Sequence, residues 1–201
     1  MTLAPEIAAT GVSFEVPNWS APLNEDEILA AVPKDCQVAG MFLLALQARA
    51  KSLNVALPMP RERYVAFNFY PLSELVPLLF QATKLFYPDQ SPRNAMRTMG
   101  RAVPKALLAS TVGRVVFSSA HGVHDVVEAM AKTYAINLRG SSAAVVESGS
   151  KWCVVHLQRV YHCLDSHHVG VFEGAMLHSG IEGSVKVAAV SSSEAHLLLA
   201  W

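Results

Sequence analysis

The chain has 201 residues, 52% hydrophobic and 16% charged, which is enough length and apolar content to bury a core and too little polarity for a disordered tail. Lys plus Arg and Asp plus Glu both number 16, so the formal net charge is zero, and no overall field draws the chain to nucleic acid or to an anionic membrane. With a mean hydropathy of +0.29 and weak charge repulsion, self-association is expected, a homodimer being the simplest form.

Along the chain, Met1 to Glu6 lacks the basic start and apolar run of a leader, and the cysteines Cys36, Cys153 and Cys163 are odd in number. A reduced, cytoplasmic protein is therefore expected. Val12 to Val16 is a short alternating piece among prolines, and Asn24 reads as an N-cap ahead of Glu25, Asp26 and Glu27. From Gln37 to Leu53 the apolar positions Val38, Phe42, Ala45, Leu46 and Ala50 recur at helical spacing and predict a helix. The longest apolar run, Val38 to Leu46, falls well short of the roughly 20 residues a spanning helix needs, so no membrane is expected as partner. Tyr64 to Phe69 is a short aromatic segment. Pro71-Leu72-Ser73-Glu74 then opens a helix to about Tyr87, with a kink expected at Pro77.

Ser91-Pro92 caps a further helix, in which Gly100 and Pro104 predict a break before Lys105 to Val116, and Gly122 to Ala135 reads as the next. After Arg139-Gly140 the period turns from helical to alternating. Ala143 to Glu147 and Trp152 to Tyr161 read as a hairpin, His168 to His178 as a helix, and Ser184 to Val190 and Ala195 to Trp201 as closing strands. The fold class expected is α+β in one domain over 1–201. A helical layer of about 24–136 packs on a small antiparallel sheet of about 140–201 with β-β-α-β-β order.

Cys153, His156, His162, Cys163, His167 and His168 are the one dense set of metal-ligand types. On a continuous strand His156 and His162 stand roughly 20 Å apart, and no pair has the spacing of a zinc knuckle, so ordinary strand and turn residues are the expected reading. His121 and His124, three apart beside Asp125, read as a solvated first helical turn. A metal site, if present, would draw on His121, His124, His162, Cys163 or His167. Nucleophile elbows, His-Glu-x-x-His and phosphate loops are absent, and no enzyme is expected. Gly170 and Gly174, four apart on one helix, let another backbone come close, from a strand of the same sheet or a second subunit. Arg93, Arg97 and Arg101 form a basic stripe whose default is a solvated face and whose sharper reading is an acidic partner or phosphate ligand.

Tyr64-Val65-Ala66-Phe67 with Tyr70-Pro71-Leu72, Tyr87-Pro88 before Met99-Gly100-Arg101, Ser110-Thr111-Val112-Gly113-Arg114, Gly170-Val171-Phe172-Glu173-Gly174 and Trp201 occur in an order that resembles an uncharacterised family with many paralogues in myxobacteria. That resemblance implies a regulatory or signalling domain without an established reaction. The C-terminal third, with its glycine helix before two strands, is also similar to the wider group of 4-vinyl reductase-type domains, haem nitric-oxide-binding domains and TRAPP subunits. That group implies an α-helical layer on a small sheet and the binding of haem, an acyl chain or other proteins. The haem branch's Tyr-x-Ser-x-Arg is missing, since Tyr134 to Arg139 has the wrong spacing and no serine, and the vinyl-reductase cysteines are absent from Val185 to Trp201. No cofactor is therefore expected, with haem or zinc the minor alternative.

The leading expectation is a non-enzymatic sensory or protein-interaction module with an apolar small-molecule pocket between helices and sheet. Phe42, Leu46, Phe80, Phe172 and Met176 are the residues expected to line it. Gly170, Gly174, the arginine stripe and Trp201 are expected at an interface or in close packing. The alternatives are a haem- or metal-binding sensor and a structural subunit of a fixed complex.

Overall fold

A computed structural model describes residues 13–201. The expectations placed on Met1 to Glu6 and on Val12 lie outside those residues; of the alternating piece, Glu15 makes an antiparallel bridge to Val187. Helix α1 (Glu25–Ala31) starts where Asn24 accepts the Glu27 N–H on its side chain, with three acids in the first turn. The helix expected from Gln37 instead begins at Gly40. Strand β1 (Gln37–Ala39) precedes α2 (Gly40–Ser52), because the buried β-branched Val38 pairs on both sides, with Tyr70 and with Leu138. Strand β2 (Phe69–Pro71) runs into α3 (Leu72–Phe86), which continues through Pro77.

Helix α4 (Pro92–Ala109) is capped by Ser91, whose hydroxyl accepts the Asn94 N–H. The break expected at Gly100 and Pro104 does not occur. Both are buried along a continuous helix, so tertiary packing overrides their low propensity. The chain breaks at Ser110, which accepts the Gly113 N–H and caps α5 (Thr111–Val116). Helix α6 (Val123–Asn137) leads into β3 (Leu138–Arg139), completing a three-stranded sheet of order β2-β1-β3 that the periodicity did not disclose.

The C-terminal part follows as β4 (Ser142–Gly149), β5 (Trp152–Gln158), α7 (His167–His178), β6 (Ser184–Ser191) and β7 (Glu194–Ala200). The expected β-β-α-β-β order and α+β class are met. The sheet is antiparallel with order β4-β5-β7-β6, and Val155 sits between Val145 and Leu197. Strand β5 stops at Gln158 rather than Tyr161, because Arg159 takes a left-handed φ of 55° and turns the chain off the sheet.

One buried cluster joins the sheet to α6 and α7, with Phe172, Met130, Leu157 and Leu197 at its centre. A second lies among α2, α3 and α4, with Leu43, Val76, Phe80 and Met96. Helices α4 and α7 cross where the two clusters meet. No helix among the described residues is long and apolar enough to cross a membrane.

Candidate ligand-binding site

The site is organised by the crossing of α4 and α7. A Cβ on Gly170 would stand 2.0 Å from the Arg97 carbonyl oxygen, one on Gly174 2.5 Å from that of Arg101, and one on Gly100 2.0 Å from that of His167. Backbone therefore meets backbone. The partner that Gly170 and Gly174 admit is α4 of the same chain, neither a strand nor a second subunit. This contact brings Arg97 and Arg101 to Glu173 on α7, with Arg101 still 46% exposed. Glu173, 7% exposed, accepts from Arg97 Nε at 2.7 Å and from Arg101 Nε at 2.8 Å. Arg93 pairs with Asp165, and Arg97 lies 4.1 Å over the Trp19 ring. The acids that the stripe meets, Glu173 and Asp165, lie within the fold.

The close crossing fixes the first turn of α7, where His167 and His168 sit. The loop after β5 bends again at Cys163, φ 48°, and lays His162 beside them. Its side chain is off the strand face assumed for it, and it groups with His167 and His168 across the turn, while His156 stays on β5 stacked against His196. Ring centres are 4.7 Å apart for His162 and His168, 5.2 Å for His167 and His168, and 5.7 Å for His162 and His167. All three are buried. His168 Nδ1 lies 2.7 Å from the Tyr134 hydroxyl. His162 Nδ1, His167 Nδ1 and His168 Nε2 have no hydrogen-bond partner among the described residues.

Burial decides their protonation. Desolvation pushes His162 down to about 3 and His167 to about 4, and it holds His168 well below the usual histidine range, so all three are neutral at pH 7. Desolvation likewise raises the Tyr134 hydroxyl.

Two cavities meet at this cluster. The smaller, about 50 Å³, is walled by all three histidines together with Thr133, Tyr134 and Asn137. The larger, about 200 Å³, lies among α2, α3 and α4, lined by Leu46, Leu79, Met99 and Ala106, with Arg49 at its rim. Phe42, Leu75, Val103 and His167 border both. Of the side chains expected in the pocket, Phe42 and Leu46 line it. Phe80 is solid core of the α2–α3–α4 cluster, and Phe172 and Met176 are solid core beneath the sheet, Phe172 stacking on Tyr134 with ring centres 6.0 Å apart.

His121 and His124 lie away from the cluster. The exposed His121 donates its backbone N–H to Asp125, and His124 packs edge-on against Trp201, ring centres 4.7 Å apart. Trp201 is thereby half-buried in its own fold, packed on the sheet cluster. Cys163 faces away from the histidine cavity, and burial pushes its thiol, like that of Cys153, up to about 12. Because Cys36, Cys153 and Cys163 are all buried, the native protein is expected to react with a thiol reagent more than tenfold slower than the denatured chain. Time-resolved labelling followed by intact mass checks this, and rapid native modification of Cys163 would contradict it.

His168 stood in the dense histidine set of the sequence but not among the residues expected to form a site, and Tyr134, Asn137 and the Leu75–Val103 wall were not expected at the pocket. The signal available was the pair His167-His168 next to the only acid, Glu173, in an otherwise apolar and glycine-bearing helix.

A family model described as a protein of unknown function, DUF2378, matches residues 32–201. The chain belongs to the DUF2378 family. No curated protein matches it. Among solved structures, this DUF2378 member is similar to an Fe(II) unliganded H-NOX variant from K. algicida, with TM-score 0.61, 11% identity, and 81% of this chain and 95% of that chain covered. It is also similar to an H-NOX protein from S. oneidensis in the Fe(II)NO ligation state, with TM-score 0.60, 11% identity, and 80% and 97% covered. A structure described as probing haem distortion in the H-NOX family gives TM-score 0.57, 12% identity, and 81% and 92% covered. At such identities the likeness is one of fold, and it spans both the helical and the sheet parts.

The fold neighbours raise the question of whether haem fits here. The imidazoles and apolar walls have suitable chemistry, but the space does not suit. The larger cavity measures about 200 Å³ and the smaller about 50 Å³, whereas sites for drug-sized ligands span about 300–1,000 Å³. Phe42, Leu75 and Val103 line both cavities and divide the space between them. Neither of these two cavities, as packed, is large enough for a porphyrin. Helix α6 offers Met130, Thr133, Tyr134 and Asn137 to the cavity and no imidazole.

Proposed function

We propose that the chain is a sensory module on the H-NOX scaffold that recognises a small, mainly apolar molecule in the cavity among α2, α3 and α4. The observation that carries this reading is the 200 Å³ apolar cavity that ends on the buried, neutral His167. Apolar walls supply affinity roughly in proportion to the area they desolvate. A neutral imidazole supplies one directional polar contact that selects the ligand's polar end. Occupancy is then felt at the first turn of α7. That helix is locked to α4 through glycine contacts and lies under the sheet, so a displacement there moves a rigid element instead of dissipating in side chains.

Native mass spectrometry beside the denatured mass of the same sample tests the reading. The expected result is an added mass below about 300 Da per chain, lost on denaturation and at least tenfold depleted in Ala106→Phe, whose ring would fill the cavity from α4. An apo spectrum after incubation with a cell extract would overturn it. Haem is the second reading, favoured by the H-NOX likeness and by the imidazoles at the cavity. A stoichiometric Soret band in the purified protein, lost in His167→Ala, would establish haem in place of the small ligand.

A further inference from the structure

We infer, resting on the reading of the α2–α3–α4 cavity as a ligand site, that its ligand is a monocarboxylate whose apolar body lies inside the cavity and whose carboxylate is bound at the mouth by Arg49. The cavity is graded from floor to mouth. Leu75, Leu79 and His167 are buried, Phe86 is half-buried, and Arg49 and Ala102 are exposed. A ligand therefore enters past Arg49.

Among the described residues, Arg49 is the one charged side chain that lines this cavity, and no carboxylate lines it. Its guanidinium makes no ion pair with any described residue, whereas Arg61, Arg93, Arg97 and Arg101 each meet an acid. The planar fork of N–H donors matches a carboxylate by two parallel bonds. Arg49 stands in the last turn of α2, where a cation complements the helix dipole, but Lys51 stands there too. Bordering the cavity is what separates Arg49 from Lys51.

The floor carries no charge to compete with it. His167 is neutral at pH 7, so a carboxylate pushed down to it would lose its hydration without gaining a counter-ion. At the mouth the same group keeps water on its outer side and gains Arg49. That fixes the orientation, apolar body inward and head outward, and leaves the unpartnered His167 Nδ1 to an uncharged polar group at the far end of the body. One guanidinium balances one negative charge, which suits a carboxylate better than a phosphate monoester carrying about −1.5 to −2. The volume of about 200 Å³ lies below the about 300–1,000 Å³ of drug-sized sites, so the body is compact.

The test is calorimetric titration of the full chain with octanoate, octanamide and octylammonium, which share one apolar chain and differ in the charge of the head. Octanoate is expected to bind roughly tenfold tighter than octanamide, with octylammonium weakest, and its advantage should shrink at high salt because Arg49 is exposed. In Arg49→Gln octanoate should fall to the level of octanamide, and in Arg49→Glu octylammonium should overtake it. Lys51→Gln should leave octanoate unchanged, and Ala106→Phe should weaken all three by roughly tenfold or more. Octanamide binding as tightly as octanoate, or octanoate indifferent to Arg49→Gln, would overturn the carboxylate assignment while binding lost in Ala106→Phe kept the cavity as a ligand site. Absence of binding by all three, or binding indifferent to Ala106→Phe, would overturn both. Should Ala106→Phe not fold, the order of the three ligands in wild-type protein and in Arg49→Gln, an exposed position, still decides the assignment.

Discussion

Acidification of the chain from pH 7 to about 4.5 is expected to unfold it cooperatively, with the loss of stability beginning near pH 6.5, above the carboxylate range. A histidine in an unfolded chain titrates near 6.5, whereas burial lowers His162 to about 3 and His167 to about 4, and lowers His168 as well. Below pH 6.5 the unfolded chain therefore takes up protons that the folded chain cannot, and stability falls with pH from there down to the folded values. At two units below 6.5, His162 and His167 each cost about 3 kcal/mol, and His168 adds in the same direction. His162 and His167 alone thus reach the lower end of a domain's whole stability, roughly 5–15 kcal/mol. Tryptophan fluorescence and circular dichroism against pH measure the midpoint, and His162→Leu is expected to move it to lower pH. A midpoint near pH 3, unchanged in that variant, would show that the cluster is hydrated and not desolvated.

The second large effect is expected from a single carbon. Gly170→Ala places a methyl group 2.0 Å from the Arg97 carbonyl oxygen, and the obstacle is backbone, which cannot rotate aside. The helices must separate, and overpacking of this kind costs about 3 kcal/mol or more. At roughly 2–4 °C per kcal/mol for a chain of this size, thermal unfolding should drop by about 6–12 °C. Gly100→Ala should behave alike, since its Cβ meets the His167 carbonyl at the same distance, and Gly174→Ala, at 2.5 Å, should cost less. A shift of less than about 2 °C in Gly170→Ala would mean that the helices do not cross in contact.

Local chemistry was readable wherever local chemistry decides the outcome. Asn24 and Ser91 stand where capping puts them, and the α+β order followed, although the first hairpin strand runs on to Gly149 and the turn falls at Ser150-Lys151. What could not be read depends on distant partners. Gly100 and Pro104 looked like a break because the sequence does not show α7 lying against them. The histidine cluster was hidden by two left-handed residues, Arg159 and Cys163, neither of a type that announces such a turn. Phe172 and Met176 were expected at the pocket because α7 is apolar on every side, and periodicity cannot choose a face of a fully buried helix. The arginine stripe was legible as a stripe; its pairing with Glu173 needed the crossing angle of two helices far apart in sequence.

The glycine crossing also decides where this scaffold is free to vary. With α4 held in backbone contact against α7, the cavity wall it forms cannot retreat, so a larger side chain there takes volume from the cavity and the helix cannot give it back. The opposite wall, built by Phe42 and Leu46 on α2 and Leu75 and Leu79 on α3, carries no such constraint. Descendants of this chain that came to recognise larger or smaller molecules would have diversified on α2 and α3, while the α4–α7 seam passed unchanged between them.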